Sequence, residues 1–223
     1  TGVTGIAYET VTSSDGSMPL LAPMSTIAGQ LAFVVGSYHL LKHNKGKGVM
    51  IGHMDAMDPR VVTVIGAGVA GTQSILKAID NKALVKVVDS SQSKLDDLKS
   101  KYGTENVEYI LSSKDSIQVS VNESDLVIGS VYVVGKEAPK VVTKDMLSSM
   151  NPGTVMVDVS IDQGGCFETS KPTTHDSPTF LENEIVHYCV TNMPGAVPLT
   201  ATEALNKVSL SYVENLANNG IQN

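Results

Sequence analysis

The sequence predicts an α/β protein, a doubly wound parallel sheet flanked by helices, and three observations carry that reading. Short apolar runs rich in β-branched residues alternate with stretches of helical periodicity, as successive βαβ units require. One run, residues 61–65, feeds directly into Gly66-Ala67-Gly68-Val69-Ala70-Gly71 and then into a helical pattern. The next run, residues 84–88, stops at an acid, Asp89. Strand, glycine turn, helix, strand and acid make up the Rossmann-type dinucleotide-binding unit.

Each residue type in that unit has a physical task. Gly66 permits the tight turn, Gly68 lets the backbone approach a pyrophosphate, and Gly71 lets helix and strand pack closely. Val69 and Ala70 open the helix, whose free N–H groups face the phosphates. Asp89 stands 23 positions beyond Gly66 (66 to 89), near the roughly 20 expected of the carboxylate that holds an adenosine ribose. A carboxylate there repels a 2′-phosphate and no Arg follows nearby, so NAD is expected over NADP. The glycine motif alone is weak, since it arises by chance and in methyltransferases; its strand–turn–helix context makes it informative. The plainer account of Asp89 is a solvated charge at a strand end.

The elements follow in order. Residues 2–10 read as a short strand and 11–19 as a turn. Pro23-Met24-Ser25 opens a helix over 26–42, with Ser25 as N-cap and Ile27, Leu31, Val34, Val35, Tyr38 and Leu41 at helical spacing. Ala28, Gly29, Ala32 and Gly36 on its wide apolar face predict close packing, against the sheet or another subunit. A loop over 50–59 leads to the first central strand. Beyond Asp89 come a helix at 94–101, a strand at 107–111, a helix at 116–123, a strand at 126–129, a helix at 144–150, and strands at 155–159 and 184–190. Thr200 and Glu203 have capping-box spacing and open a C-terminal helix that stops at Gly220. Residues 1–42 are expected to be a linking strand and helix, 43–199 the nucleotide-binding domain, and 200–223 a linking helix.

Composition narrows the function classes. The net charge of −7 argues against nucleic acid or an anionic membrane as partner, both of which favour basic patches. No apolar run approaches the roughly 20 residues of a membrane span. Cys166 and Cys189 have no metal-ligand spacing and suggest no disulfide scaffold, so a reducing cytoplasm is expected. The chain begins on Thr1 without Met and reads as a piece of something longer.

Ligands of such sheets sit beyond the carboxyl ends of the strands. Val131-Tyr132, Asp162-Gln163-Gly164-Gly165 and Asn192-Met193-Pro194-Gly195 stand in those positions. Asp162 either contacts substrate or orients a nicotinamide, or it merely terminates its strand. His39 and His43, one helical turn apart, form at best a weak metal pair, so no metal is expected. His39 reads more simply as a helix-surface or interface residue, His53 as a loop residue and His175 as structural.

The segments IDQGGCFE at 161–168, PTTH at 172–175 and NMPGAVP at 192–198 resemble alanine dehydrogenase. So do GIAYE at 5–9 and LAPMS at 21–25, and the resemblance extends over essentially the whole chain. It implies NAD as cofactor, reversible oxidative deamination of L-alanine to pyruvate and ammonia, and a homo-oligomer, a hexamer in the family. Position by position, it implies that Ser25 and Asp89 bind the cofactor, with Lys94 and Ser112 near the adenosine end. It puts Val131, Tyr132, Val159, Ser160 and Ile161 along the nicotinamide, Asp162 as the active-site aspartate, and Asn192 with Met193 closing the site. Ala67 replaces a glycine common in the family, a mild change. The family's arginine, lysine and catalytic histidine come from an N-terminal lobe that would precede this chain, so an NAD-binding portion with little activity of its own is expected. The alternatives are a non-catalytic NAD-binding module and the NAD-binding component of a proton-translocating transhydrogenase.

Overall fold

The computed structural model describes residues 2–52, 54–55, 57–133 and 137–221; His53 lies outside them. Seven strands form one sheet in the order β3-β2-β1-β4-β5-β7-β6. β1 (Val61–Ile65) pairs in parallel with β2 (Leu84–Asp89) on one side and β4 (Leu126–Gly129) on the other. β3 (Val107–Leu111) extends the first side, and β5 (Val155–Asp158) and β7 (Ile185–Tyr188) extend the second, all in parallel. The chain winds outward from β1 in both directions, which leaves a crevice beyond the carboxyl ends of β1 and β4.

The strands are continuous apolar runs because both faces are covered. Val62, Val64, Leu126, Ile128, Val155 and Val157 belong to one buried cluster. Ile65, Val127 and Met156 belong to another on the opposite side, with Ile117 and Val121 of α4 (Lys114–Glu123). Strand residues alternate between the two faces, as the two-residue repeat dictates. Thr63, fully buried between them, is satisfied by its hydroxyl contact with Ser124 at 2.7 Å.

The first helix, α1 (Ala22–His39), begins earlier than 26 because Pro23 suits the first helical turn, where its missing N–H is not needed. Ser25 is therefore not the N-cap but a residue within the helix. Its buried face is the small-residue one, Ala28, Gly29, Ala32, Phe33 and Gly36, while Val34 and Tyr38 are exposed. A Cβ on Gly29 would collide with the Ala70 carbonyl oxygen, and one on Gly36 would lie 2.5 Å from a methyl of Leu126. The Ser74 hydroxyl donates to the Gly29 carbonyl at 2.7 Å. Close packing of α1 onto α2 (Val69–Asp80) and the sheet thus accounts for the small residues.

Several expectations need correction. Residues 2–10 form no strand; Tyr8–Thr10 is a single 3-10 turn and its neighbours are exposed, outside the seven-stranded sheet. The last strand has a partner the sequence did not disclose, β6 (Thr179–Glu182), antiparallel to β7. Only two residues, Asn183 and Glu184, join them, both at positive φ, and a two-residue connection forces a hairpin. Residues 144–149 form a 3-10 rather than an α-helix. α3 (Gln92–Tyr102) is capped by Ser91 and α4 by Ser113 in a box with Ser116, so both begin before the expected positions. The C-terminal helix, α5 (Pro198–Asn219), starts at a proline, so Thr200 sits inside the first turn without a capping role.

Candidate functional site

A cleft of about 760 Å³ opens at the carboxyl ends of β1, β2, β4 and β5. One half is the glycine turn. Gly66 has φ of +95°, and a Cβ there would come within 2.6 Å of the Ser130 carbonyl oxygen. Gly71 is buried, and a Cβ on it would collide with the Gly66 carbonyl. Both glycines are required by the turn itself. Gly68 is different: a Cβ there would meet nothing within 4 Å. The open space it borders lies at the start of α2, where Val69 and Ala70 also line the cleft. That cradle fits an anionic diphosphate, which the unpaired N–H groups of a helix N-terminus favour.

Asp89 ends β2 and is only 8% exposed. One of its oxygens accepts from the Ala67 N–H at 2.7 Å and the other from the Ser91 N–H at 2.8 Å. The carboxylate therefore holds the glycine turn and the start of α3 in place. Lys94 lines the cleft from α3. Ser130 grips the turn from below, its hydroxyl donating to the Gly66 carbonyl at 2.7 Å.

The other half is made of loops from three strands. After β4 come Val131 and Tyr132, the latter 47% exposed, its hydroxyl 3.7 Å from Met18 Sδ. After β5, Val159 and Ser160 line the cleft, and a 3-10 turn, Ile161–Gln163, presents Asp162 to it. The Ser160 hydroxyl donates to the Val131 carbonyl at 2.8 Å, tying these two loops together. After β7, Thr191, Asn192 and buried Met193 complete the wall. The His175 ring contacts the Asn192 carbonyl through Nε2 at 2.8 Å and braces that segment.

Asp162 is exposed at the turn. The protein packed around the turn still raises its pKa from the ordinary carboxylate value, opposed by its own and the Gln163 backbone N–H groups. Behind it, the Lys140 ammonium donates to the carbonyls of Gly164 and, at 2.6 Å, Gly165.

Fourteen of the seventeen residues singled out from the sequence share this cleft. Gly71, Ser112 and Ile161 do not line it: Gly71 and Ile161 are buried beneath, and the Ser112 N–H donates to the Asp89 carbonyl at the end of β3. Sequence reasoning missed Tyr8 and residues 16–19, which line the cleft from the segment before α1, and it missed Ser130 and Lys140. Nothing in the residue types of that early segment marks it, because its position depends on where α1 docks. His39 is not a surface residue; it is 8% exposed, with its ring 5.7 Å from that of Tyr188. No cluster of metal-ligating side chains occurs among the described residues. Nor is any helix there long and apolar enough to cross a membrane.

The family model described as "Alanine dehydrogenase/PNT, C-terminal domain" matches residues 32–223. An alanine dehydrogenase of Halomonas elongata is 49% identical over 221 residues, 99% of this chain and 59% of that protein. A solved L-alanine dehydrogenase superposes with a TM-score of 0.93 at 44% identity, over 96% of this chain and 59% of that one. A transhydrogenase of Sinorhizobium meliloti shares the fold, with a TM-score of 0.77 at 22% identity, over 91% of this chain and 58% of that one. The chain thus spans about 59% of the length of the alanine dehydrogenases it matches.

Proposed function

The chain belongs to the alanine dehydrogenase family, and on that premise we propose that it is the NAD-binding portion of an L-alanine dehydrogenase. Residues 43–199 are the nucleotide-binding domain, and 1–42 and 200–223 link it to a second lobe. The complete enzyme, a cytoplasmic homo-oligomer, interconverts L-alanine with pyruvate and ammonia. NAD supplies the hydride acceptor at its nicotinamide ring.

The observation that carries this reading is the distribution of charge and space along one cleft. The glycine turn leaves room for a diphosphate at the start of α2, with Asp89 at one end to accept from ribose hydroxyls. Asp162 stands at the other end, exposed to the cleft, where it supports a role beside the reacting centre. Ser25 reaches the same cleft from α1. Val131, Tyr132, Val159 and Ser160 flank the nicotinamide, and Asn192 with Met193 keeps water from its outer face.

Among the described residues lining the cleft, Lys94 is the only cation, and it lies beside the Asp89 end. An amino acid substrate needs a cation for its carboxylate and a base for its proton. Among the described residues lining the cleft neither stands beside Asp162, and Lys140 behind the turn is taken up by the Gly164 and Gly165 carbonyls. The second lobe supplies them. α5, which buries none of its residues and exposes Leu210 and Val213, is a surface such a lobe or a neighbouring subunit would cover.

Two measurements on the purified chain test this. NADH is expected to bind, read by its fluorescence, and more tightly than NADPH because of Asp89. Oxidation of NADH with pyruvate and ammonium is expected to run about 10²–10⁴-fold below the complete enzyme, the usual worth of a positioned acid–base group. Failure to bind NADH would sink the cofactor reading. A near-normal rate would sink the need for a second lobe.

A further inference from the structure

Asp158 closes β5 and is fully buried, although no step proposed above uses it. One carboxylate oxygen accepts from the Ser160 N–H at 3.0 Å. The other accepts from the Cys166 N–H at 2.9 Å, the Phe167 N–H at 3.2 Å and the Ser170 hydroxyl at 2.5 Å. The Cys166 thiol lies 3.5 Å from the first oxygen. These donors lie at the two ends of a single excursion of chain, and Asp162 sits at its tip.

We infer that Asp158 is a positioning residue, which holds the 159–167 loop closed at both ends and thereby sets where Asp162 and the nicotinamide wall stand. Gly165 shows how tight the arrangement is. Its φ is +77°, and a Cβ there would lie 2.7 Å from the Asp158 oxygen that binds Cys166. Both oxygens face backbone N–H groups, so a carboxylate is demanded rather than any polar side chain of that shape. An amide would turn a donor toward Ser160 or toward Cys166 and Phe167, and one end of the loop would lose its anchor. Among the described residues no cation offsets the charge in this pocket; burial raises the carboxyl pKa and the surrounding donors oppose the rise. Charge-assisted bonds of this kind are the strong ones, and a half-satisfied buried network is costly.

The functional half of the inference rests on the proposal that the nicotinamide lies against this loop. The test compares NADH with ADP-ribose, which has the adenosine and diphosphate groups and lacks the nicotinamide. In Asp158→Asn, NADH affinity is expected to fall about tenfold or more while ADP-ribose affinity stays within about twofold, the loss of one such bond being worth about a factor of ten. Amide exchange in the ligand-free chain should quicken across 160–167 and stay unchanged across 66–71. Ser170→Ala, which removes only the hydroxyl donor and leaves the backbone donors, should show the same pattern at about threefold and decides the matter where Asp158→Asn does not fold. Equal loss for both ligands, or unchanged exchange across 160–167 in a folded variant, would overturn the inference. A wild-type chain that bound no NADH would count against the cofactor reading instead, because the exchange measurement needs no ligand.

Discussion

The two halves of the cleft are built in opposite ways. The glycine-turn half is local: Gly66 to Asp89 encloses one strand end, one turn, one helix start and one acid, and the Ala67 N–H bond to Asp89 closes it at 2.7 Å. The Asp162 half is assembled from loops after β4, β5 and β7, which meet only because the strand order sets them side by side. Its cross-ties are long in sequence, such as Ser160 to Val131, His175 to Asn192 and Lys140 to Gly165. A local half fails through backbone sterics at single positions. An assembled half fails by losing alignment while the fold survives.

The comparison can be broken most forcefully at Gly71. Gly71→Ala places a Cβ against the Gly66 carbonyl and within 2.6 Å of the Ser130 hydroxyl. Backbone against backbone has little means of yielding, so a loss of about 3 kcal/mol or more is expected, read by chemical denaturation. A loss under about 1 kcal/mol would show that the turn tolerates movement.

Gly68→Ala separates structure from binding within the same half. Its backbone is extended (φ −76°, ψ −163°) and its Cβ would enter open space. Stability should change by less than about 1 kcal/mol, while NADH affinity falls about tenfold or more as the methyl occupies diphosphate space. Unchanged affinity would mean that the diphosphate lies elsewhere.

A pH experiment addresses the scaffold beneath both halves. Burial holds the His39 imidazole below its ordinary pKa, and Nδ1 has no hydrogen-bond partner among the described residues. His187 is lowered too, chiefly by burial, against an opposing bond to the Ile185 carbonyl. The folded chain then takes up protons less readily than the unfolded one. Stability is complete above the ordinary histidine pKa and declines as the pH falls through it toward the folded values. The melting temperature should be lower at about pH 5.5 than at about pH 7.5, and His39→Phe should shrink that difference. An undiminished difference in His39→Phe would assign the effect to other groups.

The smallest effect is expected at Lys140. Lys140→Met removes the ammonium from the carbonyls of Gly164 and Gly165, and because the side chain is exposed the cost should be about 1 kcal/mol or less. NADH affinity should weaken about twofold to threefold with no change for ADP-ribose. Equal weakening of both ligands would mean that the two halves are mechanically coupled.

The strands from β1 to β5, the glycine turn, and the acid that ends β2 were legible in the sequence because each follows from a short-range rule. Continuous apolar runs mark strands buried on both faces, and a turn with no room for Cβ admits only glycine. The same rules explain the failures. Residues 2–10 carry a strand-like pattern, but local pattern does not say whether a segment docks on a sheet, and this one lies exposed outside it. Thr200 and Ser25 have capping chemistry, yet a proline two residues earlier in each case had already begun the helix. Asp158 gave no signal at all: an acid ending an apolar strand looks the same whether it faces water or gathers donors from residues 160 to 170. The sequence by itself determined the parallel strands and the local half of the cleft, since those depend on side-chain period and backbone sterics within a few residues. Only the tertiary structure decided how Asp162, Tyr132 and Asn192 meet, because their placement depends on strand order and on hydrogen bonds between loops far apart in the chain.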